Sequence, residues 1–268
     1  MIFRLVPIGL ALALLATSAQ AGVTLTYEGK SAGKERSYTI MVSIEGNKLR
    51  VDSTGDRGGT VMIFDGDQKK MISVDPEKKT YMEITEADVA KIKKTRDQMQ
   101  QQLEERLKQL PPEQRKKMEE MMGQMGQKHG ALKDRKTETK LEPLGGRKSY
   151  HGFSCETYRR TRDGQNITEE CIIPWKATGL SKNDFQVMEK FDAFFGKMGG
   201  GGREDPTYSE IANSPGVPAF VATLHSDGSH GAEEELTRLK RQSVPSSAFT
   251  APAGFTKTEM SHGAMGPE

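Results

Sequence analysis

Between Val23 and Thr85 the chain alternates apolar and polar residues in short runs, each closed by a turn signal. VTLTYEG leads into SYTIMVSIEGNKLRVDS, where Gly46-Asn47 separates two runs rich in β-forming residues. TVMIF and KKMISVD flank Asp65-Gly66-Asp67-Gln68, and Asp75-Pro76 turns the chain into KTYMEI. Such tight turns leave no room for crossover helices, so successive strands must pair as antiparallel neighbours. One face of this meander is expected to carry Val, Ile, Met and Tyr, and the other Lys, Glu and Asp.

The pattern changes at Thr85. Residues 86–110 contain neither proline nor glycine, and Val89, Ile92, Met99, Leu103, Leu107 and Leu110 recur at helical spacings. This predicts a long amphipathic helix with a narrow apolar stripe, ended by Pro111-Pro112. A second helix restarts at Glu113, with Met118, Met121, Met122 and Met125 at i, i+3, i+4 and i+7 on one face. The two form a basic helical hairpin over 86–126, inserted between strands. Strands resume near Lys136. A further helix over Ser181–Met198, capped by Ser181 or Asn183, carries Phe185, Met188, Phe191, Phe194 and Phe195 and is expected to pack on the sheet. A glycine linker at 199–202 precedes a last hairpin around Gly228–Gly231; the tail is expected to be disordered from Thr256, with the domain ending at 258 and the disordered tail proper at 259–268.

The N-terminus places Arg4 before an uncharged apolar run from Leu5 to Ala16, with Ala19-Gln20-Ala21 as a small-x-small cleavage pattern. That is the form of a secretory signal peptide over residues 1–21, too short in its apolar run for a comfortable permanent anchor. No further spanning segment follows it, so the expected compartment is the periplasm or the extracellular space. Mixed charge, net +2 over the whole chain, gives no electrostatic basis for nucleic-acid binding. Hydrophobic residues make up 34% and charged residues 28%, so a large part of residues 22–258 must be solvated.

The two cysteines, Cys155 and Cys171, lie in an exported chain, which favours a disulfide. FSCETYRRTRDGQNITEECII reads as a hairpin. A three-residue loop Arg162-Asp163-Gly164 would set Thr161 opposite Gln165 and Cys155 directly opposite Cys171, with Glu156 against Glu170.

Three stretches carry a family resemblance: DGDQKKMISVDPEKKTYMEI, GFSCETY with Cys171 and Trp175 downstream, and LTRLKRQSVPSSAFTAPAGF. They resemble an uncharacterised family of exported Gram-negative proteins, which is similar to the periplasmic lipoprotein-carrier half-barrel superfamily. The resemblance implies a single α+β domain, a curved antiparallel half-barrel whose helices cover a cavity for acyl chains. It transfers no site residue.

Catalytic patterns are missing: there is no GxSxG, HExxH or GxxxxGK. His225, Asp227 and His230 in HSDGSHG could hold a metal but read more simply as a polar turn, as do Asp65 and Asp67. The methionine face admits three readings. It is buried against a neighbour; or, with Met99 and Leu103, it is a repackable surface for lipid, lipoprotein or unfolded peptide; or Met118, Met121, Met122 and Met125 with His129 bind Cu(I) through soft donors. The sequence therefore points to a non-enzymatic periplasmic protein binding an apolar ligand or lipid-linked protein, with no cofactor. A methionine-rich copper-stress protein is the alternative, and oligomeric state is open. Protein recovered from a periplasmic extract is expected to have an intact mass starting at Gly22; a mass retaining residues 1–21 removes the cleavage reading.

Overall fold

The computed structural model describes residues 21–31, 37–56, 58–115, 117–118, 138–197 and 211–259, apart from the side chains of residues 104 and 212. Among them, twelve strands make one open, curved sheet with a few helices, the α+β half-barrel class expected. In chain order these are β1 (Val23–Lys30), β2 (Ser37–Glu45), β3 (Lys48–Gly55), β4 (Gly58–Asp65), β5 (Lys70–Asp75) and β6 (Thr80–Thr85). After helix α1 (Glu86–Gln109) come β7 (Thr139–Tyr150), β8 (Phe153–Arg162) and β9 (Gln165–Pro174). Helix α2 (Gln186–Lys197) then precedes β10 (Gly216–Leu224), β11 (His230–Arg241) and β12 (Thr256–Thr258).

The sheet order is β12-β6-β5-β4-β3-β2-β1-β11-β10-β9-β8-β7. Two antiparallel meanders, β1–β6 and β7–β11, are thus joined where β11 returns to pair with β1, from Val23 opposite Arg241 to Lys30 opposite Glu233. The Gly46-Asn47 turn falls where the sequence places it, since Glu45 pairs with Lys48. Asp65 is a turn residue, its carboxylate accepting from the backbone N–H of Asp67 and of Gln68.

Alternation carries one set of side chains to the inner face. Val23, Leu25 and Tyr27 of β1 lie beside Ile44, Val42 and Ile40 of β2, then Leu49, Phe64, Met71 and Ile84 across β3–β6, all buried in one core. Helix α2 packs into this face through Val187, Met188 and Phe194, with Phe185 from the 3₁₀ turn that precedes it. The cap is Ser181, whose N–H and hydroxyl donate to Asp184 at 2.8 and 3.0 Å.

The expectation of one apolar and one polar face fails over β4–β6. Ile63, Ile72 and Val74 point outward and are also buried, beneath Phe249, with Val244, Ala248 and Phe255 packed around them. The C-terminal segment straps this outer face. Its Val244 N–H donates to Glu45 Oε2, and its Ala248 carbonyl accepts from Arg50. Residues 256–258, expected to begin a disordered tail, instead form β12 and pair in parallel with β6. Main-chain pairing supplies the order that side-chain periodicity did not signal.

The Cys155–Cys171 disulfide is present, but the expected register is not. The turn is a two-residue loop: Arg162 pairs with Gln165, with Asp163 and Gly164 both at positive φ, 49° and 80°. Positive φ at both central residues is the type I′ conformation, whose twist matches that of the flanking strands, and Asp-Gly is among its preferred pairs. A bulge between Arg160 and Thr161 then sets Cys171 opposite Thr157 and Glu156 opposite Ile172. The bridge is therefore diagonal, with Cα atoms 5.3 Å apart, and the expected Glu156–Glu170 opposition does not arise. Because the bridge closes a loop of sequence separation 16, replacing both cysteines with alanine is expected to cost about 3 kcal/mol in urea unfolding. A loss under about 1 kcal/mol contradicts this assignment of its role.

Candidate functional site

The inner face of the sheet is the place where a half-barrel would hold an apolar ligand, and here the chain fills it with its own aromatic residues. Phe64 of β4 meets Phe191 edge-on at 5.5 Å and Phe194 at 5.3 Å, and Phe191 stacks on Phe195. Trp175, in a single helical turn after β9, packs against Phe185. Tyr27 is fully enclosed; its hydroxyl donates to the Pro218 carbonyl, and burial, then the nearby Glu234 charge, raises its pKa far above the usual phenol value.

Helix α2 is fastened at its rim by charge. Arg241, at the end of β11, donates to both oxygens of the buried Asp184 at 3.0 and 2.9 Å. Lys190 lies 3.9 Å from Asp67, and Lys197 3.5 Å from Glu86. Beside the cap is a cleft of about 220 Å³, lined by Gly22, Ile44, Asn47, Asn183, Asp184 and Gln186. It is small and mixed in polarity, unlike a cavity for an acyl chain.

The other apolar surface leaves the core along α1. Thr85 caps this helix through a capping box closed by aspartate: its N–H and hydroxyl donate to Asp88 Oδ2 at 3.0 and 2.6 Å, and the Asp88 N–H returns to the Thr85 hydroxyl. Val89 is buried and Ile92 half-buried against the core. Beyond them the stripe continues without the sheet. Met99 is 66% exposed, while Leu103, Leu107 and Leu110 are half-buried. At 24 residues the helix is about 36 Å long. Arg115, past the proline pair, reaches back to the Leu107 and Lys108 carbonyls at 3.0 and 2.9 Å and closes the helix C-terminus with a cation.

Of the site residues expected from sequence, Met99 and Leu103 therefore share one face of α1. Met118 is helical and half-buried. Met121, Met122, Met125 and His129 lie outside the described residues. In the HSDGSHG turn, Asp227 accepts from the N–H and hydroxyl of Ser229, and His230 lies 2.9 Å from Glu233 and 3.5 Å from Glu169. Among the described residues, no three His, Cys, Asp or Glu side chains are grouped to hold a metal ion.

A buried charge pair escaped the sequence reading. Arg160 of β8 donates to both oxygens of Glu170 on β9 at 2.6 and 2.9 Å, with Thr168 and Ser214 adding hydroxyls. Close by, Tyr38 covers Gly29, where a Cβ would meet its ring at 2.2 Å, and donates to Glu234 at 2.8 Å. Charges this deep persist only when mutually paired and hydrogen-bonded. A strand position that breaks hydrophobic alternation with Arg or Glu is the signal that could have found them.

The family model of a domain of unknown function (DUF4412) matches residues 100–255. No curated protein matches in sequence. Among solved structures, an uncharacterized conserved protein from Thermus thermophilus is 9% identical over 90% of this chain and 91% of its own, at a TM-score of 0.47. MucB in the Pseudomonas aeruginosa MucA/MucB complex is 11% identical, over 88% of this chain and 57% of the matched chain, at a TM-score of 0.36. A DUF1329 family protein from Desulfovibrio piger is 7% identical, over 87% of this chain and 91% of its own, at 0.29.

The Asp88 carboxyl is held below its ordinary pKa, first by the Thr85 hydroxyl, then by the Thr85 N–H and by Lys91. A lowered folded pKa stabilises above the unfolded value and is lost as pH falls through the folded one. Amide-exchange protection of residues 86–92 is therefore expected to hold above about pH 4 and to weaken below it. In Asp88→Asn that protection is lower at neutral pH and flat across the acid range. An acid profile identical in wild type and variant removes the capping box as its cause.

Proposed function

The chain belongs to the DUF4412 family, and from that premise we propose that it is a non-enzymatic exported protein that binds an apolar ligand, a lipid, a lipoprotein or an unfolded peptide. Export follows from cleavage after Ala21, with the periplasm as destination and envelope maintenance as the setting. The observation that carries the reading is the continuation of the α1 stripe past the core. Val89 and Ile92 are used in folding, but Met99 is 66% exposed on the same face.

An exposed methionine on a helix beside leucines suits ligands of varying shape, because its unbranched thioether repacks at low cost. The half-barrel then serves as the rigid mount, with the Phe-rich helix α2 supplying its core. On this reading the ligand contacts Met99, Leu103 and Met118 together with Met121, Met122 and Met125, the residues that the family match from 100 onward largely contains.

The test uses the chain purified from periplasm, native mass spectrometry for co-purifying lipid, and titration with a fluorescent C16 fatty acid and a fluorescent unfolded peptide. Binding of either probe is expected in wild type, weakened about tenfold or more in Met99→Glu/Leu103→Glu, a change that adds two charges to an apolar contact. Replacing Met118, Met121, Met122 and Met125 with leucine preserves the apolar face and is expected to preserve binding. No probe binding, or binding untouched by the glutamates, overturns the proposal; Cu(I) binding abolished by the leucine set would replace it with the metal reading.

A further inference from the structure

Past Ile92 the stripe of α1 changes character. Arg96, Met99, Leu103, Arg106, Leu107 and Leu110 fall within an arc of about 100° on the helix. Two arginines are thus interleaved with the apolar side chains rather than confined to the opposite face. Arg106 is exposed and Arg96 half-buried, 3.9 Å from Asp97. Between Lys91 and Arg115 the sequence carries seven basic against four acidic residues. Some of this charge is partnered within the helix, as in Lys93–Asp97 at 2.7 Å. The excess remains positive, beside an exposed thioether.

A protein contact and a lipid surface make different demands on such a face. Burial against protein would strip water from Arg96 and Arg106 and require a carboxylate for each. A bilayer surface asks for less: apolar side chains enter the acyl boundary while long cationic side chains extend to the headgroups. Apolar and long cationic side chains on one helix face are the pattern of a helix that lies on a surface; no helix among the described residues is long and apolar enough to cross a membrane. The base of α1 is fixed by the Thr85–Asp88 capping box and by Lys197 and Lys69 against Glu86. Past that base the stripe leaves Met99 exposed and Leu103 and Leu107 half-buried.

We propose that α1, through Met99, Leu103 and Leu107 with Arg96 and Arg106, docks the domain on an anionic phospholipid surface. This deepens the binding reading by naming the partner of the same stripe, and rests on it in treating that stripe as a contact surface. Attraction comes from headgroup charge and apolar insertion together, so removing either side-chain class releases the protein.

The experiment is co-sedimentation of the chain beginning at Gly22 with vesicles of phosphatidylglycerol and phosphatidylcholine, against vesicles of phosphatidylcholine alone. Wild type is expected to bind the anionic vesicles about tenfold more tightly or better, and to be released by about 0.5 M NaCl. Arg96→Glu/Arg106→Glu and, separately, Met99→Gln/Leu103→Gln are expected to lose binding at unchanged melting temperature. Equal binding to both vesicle types, or wild-type binding by either variant, overturns the inference. Binding of the unfolded peptide without binding to vesicles also overturns it, and leaves the apolar-ligand function standing. Failure with vesicles, fatty acid and peptide alike removes both.

Discussion

The pairing of β1 with β11 is the contact on which the rest of the molecule depends. These strands lie at opposite ends of the chain, and their ladder joins two meanders that would otherwise be separate sheets. Central strands bury both main-chain polar rows in hydrogen bonds, which lets Leu25, Tyr27 and Leu236 lie fully enclosed. The ladder ends at Val23 opposite Arg241, and Arg241 is the residue that holds Asp184 at the start of the Phe-rich helix. One long-range ladder thus closes the sheet's seam and positions the helix that fills it.

That filling occupies the concave face. A half-barrel with an open concave face offers a cavity; this one presents Phe64, Phe185, Met188 and Phe194 packed together. The outer face of β4–β6 is closed too, by the C-terminal segment around Phe249. With the concave face and the outer face of β4–β6 in use, the most exposed large apolar side chain among the described residues is Met99, on the part of α1 that outruns the core. The physics is one of length: the helix is about 36 Å long, and among the described residues it joins the core through Val89 and Ile92 of its first two turns.

Local features were legible in the residues. Turn signals at Gly46-Asn47 and Asp65-Gly66 set strand boundaries, the change of pattern at Thr85 and the cap candidates Ser181 and Asn183 bracketed the helix starts, and the two cysteines formed their bridge. The hairpin register was misread because a two-residue loop and a three-residue loop use the same Asp163-Gly164, and a bulge one residue on shifts every later pair. The Arg160–Glu170 pair shows in the residues only as charges interrupting strand alternation; its burial depends on Ser214 and neighbouring strands that no local pattern brings near.

The sequence alone determined the element types except β12, the antiparallel connectivity of adjacent strands, the disulfide and the continuous stripe from Val89 to Leu110, since each rests on local pattern or on a single hairpin. Tertiary structure decided that β11 pairs with β1, that β12 joins β6, that α2 occupies the concave face, and that Val89 is core while Met99, on the same stripe, is not. The reason is that periodicity specifies which face of an element is apolar, whereas only the finite size of the surface it meets determines how much of that face is covered.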